Sequence, residues 1–332
     1  MLHKYYKGLI ILICTFIIIL VYQALIQKSD PNVAIRVFIN NSEINDWVAQ
    51  RHAYQKLVQQ SNTVPILQPK FLCQSETKLV IIVCSSIGNF LQRRAIRDTW
   101  GIDVSQAENT LFYFLVGTTN NSKISDDLQE ESQKYSDIIQ YDFMENYLNL
   151  TIKSVLLLKW IVNYCNIARY VMKVDDDVFL HIPNIVKYIE AAKDVKLMIG
   201  TLSSKVTPVK NPAHKWFMPI NEYPEPMYPD YLTGGAYILG NYAVSELYNN
   251  SLKIPFIRIE DVFITGLCAR YSGLKPRNHD KFLHIKLNNN PCLFRTLFSV
   301  HSVSVVEMYK VWSQVFDPRF ICHWWSKWIY WE

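Results

Sequence analysis

"YVMKVDDDVFL", Tyr170 to Leu180, sets three consecutive carboxylates inside an apolar run. The residues on either side have the β-branched and aromatic character of a buried strand. The predicted strand follows "LNLTIKSVLLLKWIVNYC" (148–165), apolar nearly all round, as a helix packed against a sheet would be. "IPNIVKYIEAAKD" (182–194) comes after it and reads as the next helix. Toward the N-terminus the alternation continues. "LVIIVCSS" (79–86) is a short buried strand, "NFLQRRAIRDTWG" a polar turn and helix, "TLFYFLVG" (110–117) a second strand and "DIIQYDF" (137–143) a third. Strands alternating with helices at this spacing predict an α/β fold with a central, mostly parallel sheet. In such sheets ligands bind beyond the carboxyl ends of the strands, where the three aspartates fall.

The later part is less regular. It has a Pro/Tyr-rich loop (219–231), then "YLTGGAYILG", and "IEDVFITGLCARYSG", in which Gly273 reads as a helix stop. No linker interrupts the chain after residue 76, so 76–332 reads as one domain and 27–75 as a stem.

An acidic run is usually a solvated turn. Here the apolar flanks place Asp175, Asp176 and Asp177 at the end of a core element, and adjacent ionised carboxylates there need a cation. Oxygen ligands suit Mg²⁺ or Mn²⁺, a metal that binds through one or two carboxylates and otherwise takes substrate phosphates. Lys173 adds a point charge nearby.

Residues outside the domain narrow the setting. Of 332 residues half are hydrophobic and the net charge is only +5, with no dense basic block, which gives nucleic-acid binding no support. Gly8 to Ile26 is a 19-residue uncharged run, long enough to span a bilayer, with Lys4 and Lys7 before it and no A-x-A cleavage site after it. This reads as a short cytoplasmic tail (1–7), an uncleaved anchor (8–26) and a bulk facing the lumen. Beyond Cys14 there are six cysteines: Cys73, Cys84, Cys165, Cys268, Cys292 and Cys322. An oxidising compartment permits up to three disulfides among them, with fifteen pairings open, and Cys84 fits equally a buried strand thiol. Four sequons, at Asn40, Asn120, Asn149 and Asn249, agree with the secretory pathway. Asn149 has the alternative role of capping the helix that follows.

Five blocks occur in order: "RRAIRDTWG" (93–101), "YVMKVDDDVFL", "YPDYLTGGAYILG" (228–240), "IEDVFITGLCA" (259–269) and "VHSVSVVEMYKVW" (300–312). With them the chain resembles the β1,3-galactosyltransferase-type glycosyltransferases, family 31, over nearly all of 76–322. The resemblance implies a GT-A fold, a UDP-sugar donor, Mn²⁺ and inversion at the anomeric carbon. It implies a β1,3-hexosyltransferase of the Golgi membrane, single-pass and type II, acting on a glycan of a glycoprotein or glycolipid. Galactose is the favoured sugar, with N-acetylglucosamine or N-acetylgalactosamine as alternatives.

Residue by residue, Asp175, Asp176 and Asp177 match the family's D-x-D element, with Asp177 and Asp175 as metal ligands completed by His301. Asp261 matches the general base and Glu260 is the rival; a pair of acids complementing a helix dipole is the plainer account of both. Arg93 and Arg97 match R-x-x-x-R, share a helix face, and either approach the nucleotide with Lys173 or pair with carboxylates. Gly234 and Gly235 allow close approach of the donor in what reads as a loop, or simply make a turn. Trp216 and Tyr231 offer rings to an acceptor sugar. A non-catalytic luminal carbohydrate-binding protein on the same scaffold, and a metal-dependent phosphohydrolase, are the competing classes; the first would be expected to lose these motifs. After Cys322 the chain ends in five aromatics whose role the residues do not fix.

Overall fold

The structure, a computed structural model, describes residues 51, 53–60, 63–285 and 290–322. The tail, the candidate anchor 8–26, Asn40 and the aromatic terminus lie outside the described residues. Among those described, no helix is long and apolar enough to cross a membrane.

Strand β1 (Leu79–Cys84) is buried at every position, as expected of a strand covered on both faces. It pairs in parallel with β2 (Thr110–Thr118) on one side and β4 (Tyr170–Asp175) on the other, and β3 (Ile138–Met144) extends the sheet beyond β2. Three further strands complete it: β6 (Met198–Ser203), β7 (Tyr231–Gly240) and β8 (Arg277–Asn278), in the order β3-β2-β1-β4-β7-β6-β8. Strand β7 runs antiparallel to both its neighbours, and the other four pairings are parallel. The chain moves outward from β1 through β2 to β3 and then returns to β4 on the far side of β1. The order therefore reverses between β1 and β4, where open α/β sheets place their ligands.

Alternate residues of β1 feed two cores. Val80, Ile82 and Cys84 face the helix α4 (Leu150–Tyr164), while Leu79, Ile81 and Val83 face α1 (Phe90–Asp98), α2 (Trp100–Gln106) and α5 (Ile182–Ala191). Further helices include α3 (Ser122–Tyr135), α6 (Asn241–Ser251), α7 (Pro291–Phe294) and α8 (Val305–Val315), and between α6 and α7 Asp261 caps a π-helical segment, Val262–Cys268. Helix α4 is buried from Thr151 to Ile161, Lys153 and Lys159 included, which explains its uniformly apolar reading.

Two expectations change. "YVMKVDDDVFL" is not one strand. It splits into β4 and a two-residue strand β5 (Phe179–Leu180), with Asp176 and Asp177 in the turn between them. Strand β5 belongs to a second, three-stranded sheet with β9 (Phe282–Leu283) and β10 (Ser299–Val300). Part of the segment read as stem is also built into the domain. Val58 is fully buried, Lys159 donates to its carbonyl, and Cys73 is disulfide-bonded to Cys165. A second disulfide joins Cys292 to Cys322, and Cys84 and Cys268 are buried free thiols.

Candidate active site

The small sheet explains how residues more than a hundred positions apart meet. Phe179 pairs with Val300 in the β5–β10 register, and Val303 N–H donates to the Asp177 carbonyl at 2.8 Å. His301 therefore lies beside the aspartate turn, with its Nε2 3.5 Å from Asp177 Oδ1. Its Nδ1 is engaged with Ser302 Oγ at 3.0 Å, which orients the ring. Ligand atoms of Asp175, Asp177 and His301 all lie within 4.8 Å of one another. Two carboxylates and an imidazole form a mixed oxygen and nitrogen set that fits Mn²⁺. Burial raises the pKa of Asp177, and the charge of His301 pulls it back.

Asp176 turns the other way. It accepts from Ser85 Oγ at 2.7 Å and Asn89 Nδ2 at 2.9 Å, both on the segment leaving β1, and burial raises its pKa. Neither Ser85 nor Asn89 is conspicuous in the sequence; their position just after a buried strand was the available signal.

Asp261 lies across β7 from this turn. Its Oδ1 accepts from Val262 N–H at 2.9 Å and its Oδ2 from Gly234 N–H at 3.1 Å. Burial and the neighbouring Glu260 push its carboxyl up to about 7. Glu260 points into the core. It accepts from Tyr237 Oη at 3.0 Å and lies 3.8 Å from Lys173 Nζ, its own pKa also raised by burial.

Gly234 and Gly235 lie within β7, not in a loop. A Cβ at Gly235 would stand 2.9 Å from His301 Cδ2, and one at Gly234 would stand 3.1 Å from Glu260 Oε2. Their missing side chains admit protein groups rather than providing a turn.

Three side chains assigned to donor binding are engaged by protein groups. Arg93 is fully buried, and every N–H of its guanidinium is used, on Glu131, Ser85 Oγ and the carbonyls of Ser86 and Ile87. Arg97 bonds both oxygens of Asp137 and reaches Glu131 at 2.6 Å. The i, i+4 spacing does put both on one face, but that face meets carboxylates of α3 and its end. Lys173 is buried beneath the site, 2.6 Å from Asp175 Oδ1 and bonded to the Gly234 carbonyl. Burial disfavours its charge, but Asp175 and Glu260 more than compensate and hold its pKa above that of an ordinary lysine.

Trp216 is 46% exposed and donates from Nε1 to Tyr147 Oη at 3.1 Å. Although Tyr147 is 40% exposed as a residue, partial burial raises the pKa of its phenol, with Asp261 and Asp175 among the charges acting on it. Tyr231, edge-on to Tyr228, also feels Asp261. Tyr147 and Tyr231 thus both lie in the field of Asp261, and Trp216 is tied to Tyr147, a residue the sequence did not single out.

The galactosyltransferase family model matches residues 91–280, more than half of the chain. The chain belongs to the galactosyltransferase family. This bears out the resemblance carried by the five sequence blocks. Among galactosyltransferase-family relatives, human N-acetyllactosaminide beta-1,3-N-acetylglucosaminyltransferase 4 is 33% identical over 260 residues, covering 75% of this chain and 68% of that protein. Human beta-1,3-galactosyltransferase 5 is 29% identical over 292 residues, covering 86% and 92%. Mouse beta-1,3-galactosyltransferase 1 is 30% identical over 244 residues, covering 73% and 74%.

Proposed function

We propose that this family member is an inverting, metal-dependent β1,3-hexosyltransferase that moves galactose from UDP-galactose to a glycan of a glycoprotein or glycolipid. The observation that carries the reading is the cluster of Asp175, Asp177 and His301 at the strand-order reversal, with Asp261 across β7. The first three residues would hold Mn²⁺, which when bound neutralises the charge that develops on the departing diphosphate. Asp261 takes the proton of the acceptor hydroxyl as its oxygen bonds to the anomeric carbon. The bond from that carbon to the β-phosphate oxygen breaks, and its electron pair leaves with UDP. Hydrogen bonds from Val262 and Gly234 orient Asp261 for this task, and its raised pKa makes it a better base than a surface aspartate. Glu260 is the weaker candidate for base, because Tyr237 and Lys173 occupy it inside the core. Trp216, Tyr231 and Tyr147 supply faces for sugar rings.

N-acetylglucosamine is the second donor reading, favoured by the 33% identity to an N-acetylglucosaminyltransferase. We place the enzyme in the Golgi membrane, held by the 8–26 segment with the domain in the lumen. The test uses full-length protein in detergent with Mn²⁺, a panel of UDP-hexoses and a glycan array. Transfer from UDP-galactose is expected; selective use of UDP-N-acetylglucosamine would overturn the galactose assignment. Chelation should abolish transfer and added Mn²⁺ restore it. Full activity after chelation, or in Asp177→Ala, would remove the metal from the reading.

A further inference from the structure

The register between β4 and β7 runs from Tyr170 opposite Gly240 to Val174 opposite Ala236 and stops there. Gly234 lies just past its end, and two side chains take up its backbone groups. Its N–H donates to Asp261 Oδ2 at 3.1 Å, and its carbonyl accepts from Lys173 Nζ. The same ammonium donates to Asp175 Oδ1 at 2.6 Å and lies 3.8 Å from Glu260 Oε2. A continuous chain of bonds therefore runs from the candidate metal ligand Asp175, through Lys173 and Gly234, to the candidate base Asp261. Lys173 reaches both ends because residues 173 and 175 project from the same face of β4. Of the two bonds to the Asp261 carboxylate, the one from Val262 is local, and the one from Gly234 ties it to the sheet. Lys173 is buried, and a buried ion pair is a weak source of stability, because desolvation offsets the attraction. What an ammonium with three N–H donors supplies here is fixed geometry.

We infer that Lys173 is a positioning residue for the base: by joining the Gly234 carbonyl to Asp175 it aims the Gly234 N–H, and so places the Asp261 carboxylate relative to the carboxylate–histidine cluster. The inference rests on the reading of Asp261 as the base, and gives Lys173 this role in place of contact with the donor. Lys173 acts through Gly234, and no proton leaves it in the reaction.

The test is a double-mutant cycle on kcat, in full-length protein in detergent at saturating Mn²⁺ and substrates, with single-turnover transfer as the readout. Lys173→Met should lower kcat by about 10²-fold, the cost of a displaced catalytic group. In an Asp261→Asn background the base is already gone, so the same substitution should cost about threefold or less, as for residues that act as a unit. A merely structural lysine would cost as much in either background. Where Lys173→Met alone does not fold, the cycle is measured on Glu260→Gln, in which the acid beside Lys173 carries no charge to be stranded. An unchanged kcat in Lys173→Met, or a further loss of tenfold or more in the Asp261→Asn background, overturns the inference. If Asp261→Asn itself keeps full activity, the reading of Asp261 as base falls and this inference with it. If Asp261→Asn is impaired and the two losses multiply, only the inference falls.

Discussion

Asp261 is where stability and function conflict most directly. Its carboxyl is raised to about 7, by burial first and by Glu260 second. A carboxyl raised on folding contributes stability below its unfolded value near 4, and that contribution is lost as pH rises through about 7. At pH 8 the ionised group is therefore a liability that the fold carries. Asp261→Asn should remove it, raising stability at pH 8 by roughly 1–3 kcal/mol, with little gain at pH 4. The same substitution should lower kcat by about 10²–10⁴-fold, the worth of a general base. Denaturant melts at the two pH values and a transfer assay check both halves. In the unsubstituted enzyme activity should rise with pH and level off above about 7, following ionisation of Asp261. A profile flat from pH 5 to 9 would assign the proton to another acceptor.

The elements that hold the site are built around buried charge, and this is where the sequence was only partly legible. Alternating apolar runs disclosed strands β1 to β4 and helix α4, because one period decides each of them. The five blocks, taken together, disclosed which aspartates and which histidine meet. The residues that misled were cations. An arginine on a helix face reads the same whether it meets a phosphate or Glu131, since the partner is supplied by a distant helix. The glycines misled similarly: Gly235 is small because His301 packs on it, a contact made by an element 66 positions later. Two outcomes follow. Arg93→Met should destabilise the domain by about 3 kcal/mol, the low end for a broken buried pair, since Glu131 would keep only Arg97 and the segment after β1 would lose its anchor. Urea unfolding measures this. Gly235→Ala should instead leave folding largely intact but push the His301 ring aside, weakening Mn²⁺ binding by about 10–100-fold, as expected when a group supporting a ligand is disturbed. Isothermal titration with Mn²⁺ reads it directly.

Across the whole molecule, the surface can test the luminal orientation that the 8–26 segment implies. Three sequons lie among the described residues, and they differ sharply. Asn120 and Asn249 are exposed, the first in the turn before α3 and the second on α6. Asn149 is 6% exposed, and its Nδ2 donates to the Met144 carbonyl at 2.8 Å and approaches Tyr54 Oη. A glycan on that nitrogen would cost these bonds and have no route to solvent through the packed start of α4. The side chain does not fill the capping role the sequence offered it. It makes no cap bond to α4, and ties the end of β3 to the chain segment that precedes the sheet. Mapping of the folded protein from a eukaryotic secretory host should therefore find glycan at Asn120 and Asn249 and none at Asn149. Asn149→Gln should lower stability by about 1–2 kcal/mol through the lost buried bonds, whereas Asn249→Gln should change mass and little else. Unmodified Asn120 and Asn249 would count against a luminal domain. A glycan on folded Asn149 would show that this corner of the domain opens far more readily than its packing implies.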